Sequence, residues 1–215
     1  MTFQNRRDAG RRLAMVLGQY RHEQPVILGL PRGGVVVGHE VAKALDAPLD
    51  VLVVRKLGAP GADEFAIGAL APGATLLNRR LTNALAVSPD YLSRVIARES
   101  EEMARRERLY RGDHEAIPVS GRTVILVDDG LATGATAQAA IHSLRARLPR
   151  QVIFAAPVCS PEGADALRRV ADDVVCLECP ENFAAVGTWY WDFSPTSDAE
   201  VMECLRGADA RRIPA

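Results

Sequence analysis

The chain has 215 residues, of which 48% are hydrophobic and 25% charged, and its formal net charge is −1. This length suits one sizeable core, so we expect a single domain over residues 1–215. The near-equal numbers of basic and acidic residues, 26 and 27, argue against general nucleic-acid binding. No apolar run approaches the roughly 20 residues of a membrane span, and residues 1–20 lack the pattern of a secretory signal. We therefore expect a cytoplasmic protein without a membrane anchor.

Apolar segments alternate with helical patterns along the chain, which is typical of a parallel α/β sheet. The spacing predicts helices over 3–20, 33–45, 88–111, 134–147, 160–171 and 197–206. It predicts strands over 26–30, 49–54, 123–127, 151–158 and 173–177, and a hairpin that joins 66–70 to 74–78. The helix over 88–111 has Ser88 and Pro89 at its start and Gly112 after its end, which are the residues that such positions favour.

The four cysteines, Cys159, Cys176, Cys179 and Cys204, are too few and too scattered to predict a disulfide framework. Cys176 and Cys179 have the spacing of a metal-binding pair. No second cysteine pair or histidine pair accompanies them, so we do not expect a zinc site. The sequence instead predicts two free thiols at the end of a buried strand.

Residues 124–136, VILVDDGLATGAT, combine an apolar strand, two acids and a turn rich in Gly and Thr. In a parallel α/β sheet, ligands lie beyond the carboxyl ends of the strands, where a turn into a helix presents backbone N–H groups to an anion. Residues 133–136 therefore predict a phosphate-binding turn. Asp128 and Asp129 would repel phosphate, so we expect them to accept hydrogen bonds from an attached sugar and to stabilise a cationic sugar carbon. The stretch has neither the P-loop pattern nor the dinucleotide-binding GxGxxG.

This stretch resembles the phosphoribosyl-pyrophosphate signature of the type I phosphoribosyltransferases. The resemblance extends over residues 25–195 and implies an α/β fold with a parallel sheet and helices on both faces. It places the core at about 25–178, adds a flexible loop or hairpin, and ends in a small hood over about 179–196, followed by the C-terminal helix.

The resemblance also assigns the donor site. The carboxylates of Asp128 and Asp129 are implied to be catalytic and to contact the ribose. The 5-phosphate is assigned to the turn formed by Ala132, Thr133, Gly134, Ala135 and Thr136.

Two further loops resemble those of the family. Arg32, Gly33 and Gly34 follow the first strand, as does the family's pyrophosphate loop. Arg55 and Lys56 stand at the base of residues 54–65, which resemble a loop that closes over the site and excludes water. These residues are implied to bind pyrophosphate. The alternatives are a plain tight turn and an ordinary charged surface loop.

Residues 183–193 contain five of the chain's eleven Phe, Trp and Tyr residues. The resemblance to the hypoxanthine-guanine branch implies acceptor contacts there: Phe183 stacking on a base, Trp189 beside it, and Asp192 near its exocyclic edge. A small satellite core that holds the C-terminal tail is the alternative.

The sequence departs from the hypoxanthine-guanine branch at Ala132, where that branch has an acid that exchanges a proton with the base. Because alanine cannot transfer a proton, another residue must do so. Glu64, in the predicted closing loop, is our first candidate for this catalytic role, ahead of Asp63 and Asp192.

The resemblance implies transfer of the 5-phosphoribosyl group from phosphoribosyl pyrophosphate to a nitrogen acceptor, for which a purine-like base is one candidate. Mg²⁺ is the implied cofactor, held mainly through the donor, and a homodimer is the implied assembly. One alternative is a regulator that senses phosphoribosyl pyrophosphate without catalysis, which Ala132 favours. Another is a phosphoribosyl-pyrophosphate synthase or related phosphotransfer enzyme, for which the chain is short and has no internal repeat.

Overall fold

The computed structural model describes residues 2–208, apart from the side chains of Asp63 and Glu64. The elements in chain order are α1 (Arg6–Leu17), β1 (Val26–Gly29), α2 (Gly33–Leu45), β2 (Leu49–Val51), β3 (Arg55–Ala59), β4 (Ala62–Ala71), β5 (Ala74–Leu77), α3 (Arg79–Ala84), α4 (Pro89–Arg111), β6 (Thr123–Val127), α5 (Ala135–Arg145), β7 (Gln151–Val158), α6 (Pro161–Leu167), β8 (Asp173–Glu178) and α7 (Asp198–Arg206). Short 3₁₀ helices lie at Gly18–Glu23 and Val186–Trp189.

Five parallel strands form the central sheet, in the order β2-β1-β6-β7-β8. Strands β1, β2 and β6 are buried along their whole length, as expected for a sheet covered on both faces. Gly29 of β1 pairs with Val127 of β6, which in turn pairs with Ala155 of β7. Strands β1 and β6 therefore end level with each other, so the segments after them start side by side, while β7 continues to Val158.

Helices cover both faces of this sheet, as predicted. Ile125 of β6 belongs to one apolar cluster with Leu13 of α1 and Leu205 of α7. Its neighbour Leu126 points the other way and belongs to a second cluster with Ile141 of α5. Adjacent residues of a strand pack into apolar clusters on opposite faces of the sheet, because side chains alternate across a strand.

A second sheet, β3-β4-β5, is antiparallel. The predicted hairpin is confirmed, but the prediction of a loop throughout 54–65 is wrong, because residues 55–59 pair with β4. The turn between them has Gly61 at φ +72°, a conformation that favours glycine. Leu57 and Ile67 are fully buried and share a cluster with Val95 of α4. The loop had been inferred from the family resemblance alone, and this pairing and packing show a strand in its first half.

Most other boundaries match the predictions, with four differences. The helix predicted over 160–171 ends at Leu167. The predicted helix over 3–20 starts only at Arg6, after the cap Asn5, because Phe3 forms a bridge with Tyr190. The predicted strand over 49–54 ends at Val51. Helix α3 was not predicted. Helix α4 matches its prediction, and the Ser88 hydroxyl accepts a hydrogen bond from the Tyr91 backbone at 3.2 Å.

The prediction of free thiols is wrong for Cys176, which forms a disulfide with Cys159. The two residues lie at the carboxyl ends of neighbouring strands, with their Cα atoms 6.2 Å apart, within the usual range for a disulfide. The tertiary pairing of β7 with β8, not the spacing along the chain, brings them together. Cys179 is exposed and Cys204 is buried, both as free thiols. No helix within residues 2–208 is long and apolar enough to span a membrane.

Candidate active site

The segments that follow β1 and β6 meet at the carboxyl edge of the sheet. The Leu30 backbone donates a hydrogen bond to the Val127 carbonyl at 2.9 Å, and the Asp128 backbone donates to the Ala155 carbonyl at 3.1 Å. These bonds fix the first residue of each segment to the neighbouring strand. The backbone hydrogen bonds alone therefore place the predicted pyrophosphate loop next to the acidic pair.

Gly33 and Gly34 allow these two segments to touch. A Cβ on Gly34 would lie 2.6 Å from the Val127 carbonyl and 2.8 Å from Asp128 Cα. A Cβ on Gly33 would overlap the Asp129 carboxylate. Glycine is therefore required at both positions for this approach, whatever ligand the loop binds.

The two acids differ in their surroundings. Asp128 Oδ1 accepts a hydrogen bond from the Asp129 backbone at 2.8 Å. Burial raises the pKa of Asp128 well above its usual value, and the negative charge of Asp129 raises it further, while Arg6 acts in the opposite direction. Asp129 Oδ2 forms an ion pair with Arg6 Nε at 2.7 Å. The pair is thus a mostly enclosed acidic site with one cation beside it.

Sequence reasoning missed two residues of this site, Arg6 and Tyr190. Arg6 comes from α1, 123 positions before Asp129. The Tyr190 hydroxyl donates to the Asp129 backbone carbonyl at 2.5 Å, and burial raises the pKa of Tyr190. Tyr190 belongs to the aromatic stretch noted in the sequence, but nothing local singled it out. No signal in the sequence pointed to Arg6, because its partner is brought near only by the fold.

The predicted phosphate-binding turn leads directly into α5. Gly134 is the N-cap residue with φ +77°, and α5 starts at Ala135. The Ser160 hydroxyl supports the turn from the side, since it donates to the Ala132 carbonyl at 2.6 Å. Ala132 and Thr133 are exposed, whereas Ala135 and Thr136 are half-buried. The turn therefore presents the N-terminus of an 11-residue helix to solvent beside the acidic pair.

The three predicted pyrophosphate-binding cations lie in different settings. Arg32 is about half exposed, with Nη1 4.0 Å from Asp198 Oδ1. Arg55 lies on β3, and its guanidinium contacts the buried Glu99 of α4 at 2.7 and 2.8 Å, so its contacts lead away from the acidic pair. Lys56 is exposed. Arg32 thus lies in the loop beside the acids, while Arg55 and Lys56 belong to the second sheet.

The predicted acceptor residues lie in the hood, residues 179–196. Phe183 and Trp189 are partly buried and pack against a cluster that includes Phe3 and Tyr190, so the satellite-core alternative describes their packing. Within residues 2–208, the buried Trp189 Nε1 has no hydrogen-bond partner. Asp192 lines a cavity of about 180 Å³ together with Arg6. Hydrogen bonds from Ser194 lower the pKa of Asp192.

Glu64 and Asp63, the first two candidates for proton transfer, lie in β4, and their side chains are outside the described part of the structure. Within the described residues, no group of three or more His, Cys, Asp or Glu side chains could hold a metal ion. The protein part of the site therefore does not by itself form a magnesium cage of the usual oxygen ligands.

Comparison with known proteins identifies the class. The phosphoribosyl transferase domain family matches residues 4–194, and the chain belongs to this family. A Mycobacterium tuberculosis protein named as a putative phosphoribosyl transferase is 44% identical over 204 residues, which cover 94% of this chain and 46% of that protein. The chain thus spans about half the length of that relative. The crystal structure of TT1426 from Thermus thermophilus superposes with a TM-score of 0.83 at 44% identity, covering 97% of this chain and 99% of the other.

Proposed function

We propose that this protein transfers the 5-phosphoribosyl group from phosphoribosyl pyrophosphate to a nitrogen acceptor and releases pyrophosphate. The observation that carries the proposal is the meeting of the Gly33-Gly34 loop with the Asp128-Asp129 pair, beside the N-terminus of α5. One ligand that has a diphosphate, a ribose and a phosphate in sequence would contact all three. Family membership supports the same reaction class.

Each part of the donor then has a partner of suitable chemistry. The turn over 132–136 would bind the 5-phosphate through backbone N–H groups and the Thr hydroxyls. Asp128 and Asp129 would accept hydrogen bonds from the ribose hydroxyls, and Asp129, which forms the ion pair with Arg6, would stabilise positive charge at C1. Arg32 would neutralise the pyrophosphate, with Lys56 as a second exposed cation. Because Arg55 is paired with Glu99, we rank it below these two for direct contact.

In the reaction, the C1–oxygen bond breaks and its electron pair leaves with the pyrophosphate. The lone pair of the acceptor nitrogen forms the new bond to C1, and the nitrogen then loses its proton. Ala132 cannot take this proton, and Glu64 remains our first candidate for the base. Mg²⁺, when bound, would offset the charge of the leaving pyrophosphate. Since the described residues offer no metal cage, we propose that the ion is held mainly by oxygens of the donor.

We place the acceptor against the hood. The Trp189 indole N–H is a buried donor, and an unmet buried donor costs about 1–3 kcal/mol, which an oxygen or nitrogen atom of the acceptor would offset. Phe183 and Asp192 stay predicted acceptor contacts, and a purine-like base stays the predicted acceptor. The homodimer and the cytoplasmic location likewise remain predictions from the sequence.

The direct test is an assay of pyrophosphate release from phosphoribosyl pyrophosphate with Mg²⁺ and a panel of purines, pyrimidines and other nitrogen acceptors. We expect release that depends on one acceptor class. Binding of the donor without acceptor-dependent release over a broad panel would instead support the regulatory alternative.

The double variant Asp128→Asn, Asp129→Asn tests the acidic pair. Because asparagine keeps the shape but not the charge, we expect a folded protein whose turnover falls by about 100-fold or more. Pyrophosphate release measures the turnover, and circular dichroism checks the fold. The control is Asp165→Asn, which changes an exposed carboxylate on α6 that pairs with Arg168. Turnover of the double variant close to that of the control would contradict the assignment.

A further inference from the structure

We infer that Arg6 is a positioning residue of the donor site: it orients the Asp129 carboxylate toward the ribose and joins it to the hood. The inference rests on the proposed function and adds a residue to that site. Arg6 lies in the first turn of α1, 123 positions along the chain from Asp129, the acid that it contacts. Its side chain makes three contacts, which join two different parts of the fold.

The first contact is with Asp129. Arg6 Nε donates to Asp129 Oδ2 at 2.7 Å, and the two side chains are only 12% and 17% exposed. On its other side, the Asp129 carboxylate has a side-chain hydrogen bond with Asp128, which helps to raise the pKa of Asp128. The ion pair therefore helps to fix the orientation of the carboxylate.

The other two contacts are with the hood. Arg6 Nη1 donates to the Ser194 carbonyl at 2.8 Å, and the guanidinium carbon lies 3.9 Å from the centre of the Phe193 ring. A planar cation with several fixed donors suits this combination, and lysine does not reproduce it. Arg6 thus ties the ribose-binding acid to the end of the segment that we expect to bind the acceptor.

The neighbouring arginines of α1 show that this arrangement is particular to Arg6. Arg7 is 40% exposed and contacts Glu40 of α2 at 3.4 Å, and Arg12 is 42% exposed and pairs with Asp8 within the helix. Exposed pairs of this kind contribute little, whereas an enclosed pair determines geometry and is costly to break. Arg7 lines the same cavity as Arg6 and Asp192, whereas Arg12 does not, so Arg12 offers the matched control.

The experiment measures the dissociation constant of phosphoribosyl pyrophosphate with Mg²⁺ by calorimetry. Arg6→Gln should weaken binding by about tenfold, Arg6→Lys should weaken it less, and Arg12→Gln should stay within about twofold of the wild type. Asp129→Asn provides the second half of a double-mutant cycle. If Arg6 acts through Asp129, adding Arg6→Gln to Asp129→Asn should change the constant by less than about twofold.

The outcomes separate the inference from the proposed function. A wild-type chain that binds no donor overturns the proposed function, and the inference with it. A wild-type chain that binds the donor, together with an Arg6→Gln variant that binds equally well, overturns the inference alone. The same holds if Arg6→Gln weakens binding by an equal factor with and without Asp129→Asn, because Arg6 would then not act through that carboxylate.

Discussion

Asp128 is held in a place that favours its neutral form. Burial and the adjacent Asp129 charge raise its pKa, while Arg6 only partly offsets them. The folded state therefore binds the Asp128 proton more tightly than the unfolded chain does. It follows that the contribution of Asp128 to stability is greatest at low pH and declines as the pH rises from its ordinary pKa of about 3.9 through its raised value.

Asp128→Asn should remove this loss of stability with rising pH, because asparagine does not ionise. Its side-chain oxygen can still accept a hydrogen bond from the Asp129 backbone. We expect the variant to gain stability relative to the wild type as the pH rises from 5 to 8, while losing activity. Urea unfolding at the two pH values measures the difference, with Asp165→Asn as the control for loss of an exposed charge. If the free energies of unfolding of the variant and the wild type differ by the same amount at both pH values, ionisation of Asp128 does not destabilise the fold.

Individual residues of the site could be predicted from the sequence only where neighbours in the chain act together. The acidic pair and the turn after it were recognised because they are contiguous and follow an apolar strand, and their roles remain predictions. Arg6 and Tyr190 contact the same acid from 123 and 61 positions away. Only folding brings such partners together, so neither the hydrophobic periodicity nor the residue spacing of the sequence could predict them.

At the scale of elements, the predicted phosphate-binding turn, residues 132–136, is supported by the start of α6. The Gly163 backbone donates to Ser160 Oγ at 2.9 Å, and that hydroxyl donates to the Ala132 carbonyl. A Cβ on Gly163 would overlap the Ala132 carbonyl and lie 2.9 Å from Ser160 Oγ. The shape of the turn therefore depends on a glycine about 30 residues further along the chain.

Gly163→Ala should push the turn away from α6. We expect about tenfold weaker binding of ribose 5-phosphate, measured by calorimetry, and a loss of about 1–3 kcal/mol in the free energy of unfolding. The control is Gly18→Ala, since Gly18 has φ −52° and open space around it. Unchanged binding of ribose 5-phosphate in Gly163→Ala would show that the turn does not hold the 5-phosphate.

The predicted elements were accurate where the hydrophobic pattern was long and the end signals were clear. Helices α2 and α4 match their predicted bounds because each has a regular apolar face or a distinct cap. Strand β3 was missed because residues 54–65 were interpreted as a loop from the family resemblance, and its pairing with β4 depends on a turn conformation that the sequence pattern does not reveal.

For the whole molecule, the Cys159–Cys176 disulfide is a covalent link between β7 and β8 at the edge of the sheet that carries the site. It closes a segment with a sequence separation of 17 that contains all of α6. Such a link restricts the unfolded chain more than the folded one, and loops of this length correspond to about 3 kcal/mol.

Cys176→Ser should therefore lower the free energy of unfolding by up to about 3 kcal/mol under non-reducing conditions, as measured with urea. Reductant should lower the stability of the wild type to the same level and leave the variant unchanged. Cys179→Ser, which removes the exposed free thiol, is the control. A wild type that is insensitive to reductant would show that the link contributes nothing.

The overall architecture could be predicted from the alternation of apolar strands and helices, since that alternation determines a parallel sheet with helices on both faces. The disulfide and the second sheet could not, because both depend on which strands become neighbours. The strand order β2-β1-β6-β7-β8 is a property of the packed chain rather than of any one segment.

The antiparallel sheet packs on the same helix that starts at the predicted phosphate-binding turn. Ala69 and Ala71 of β4 pack against Ala139 of α5, and one turn further on the Ser143 hydroxyl donates to the Pro72 carbonyl. Helix α5 has 11 residues and is about 16 Å long, at 1.5 Å per residue, so it connects the predicted phosphate site at its N-terminus with this sheet. We expect the two ends of the helix to be coupled, and such coupling is reciprocal: a ligand that restrains the helix at one end should restrain the sheet at the other, and movement of the sheet should alter the predicted phosphate site.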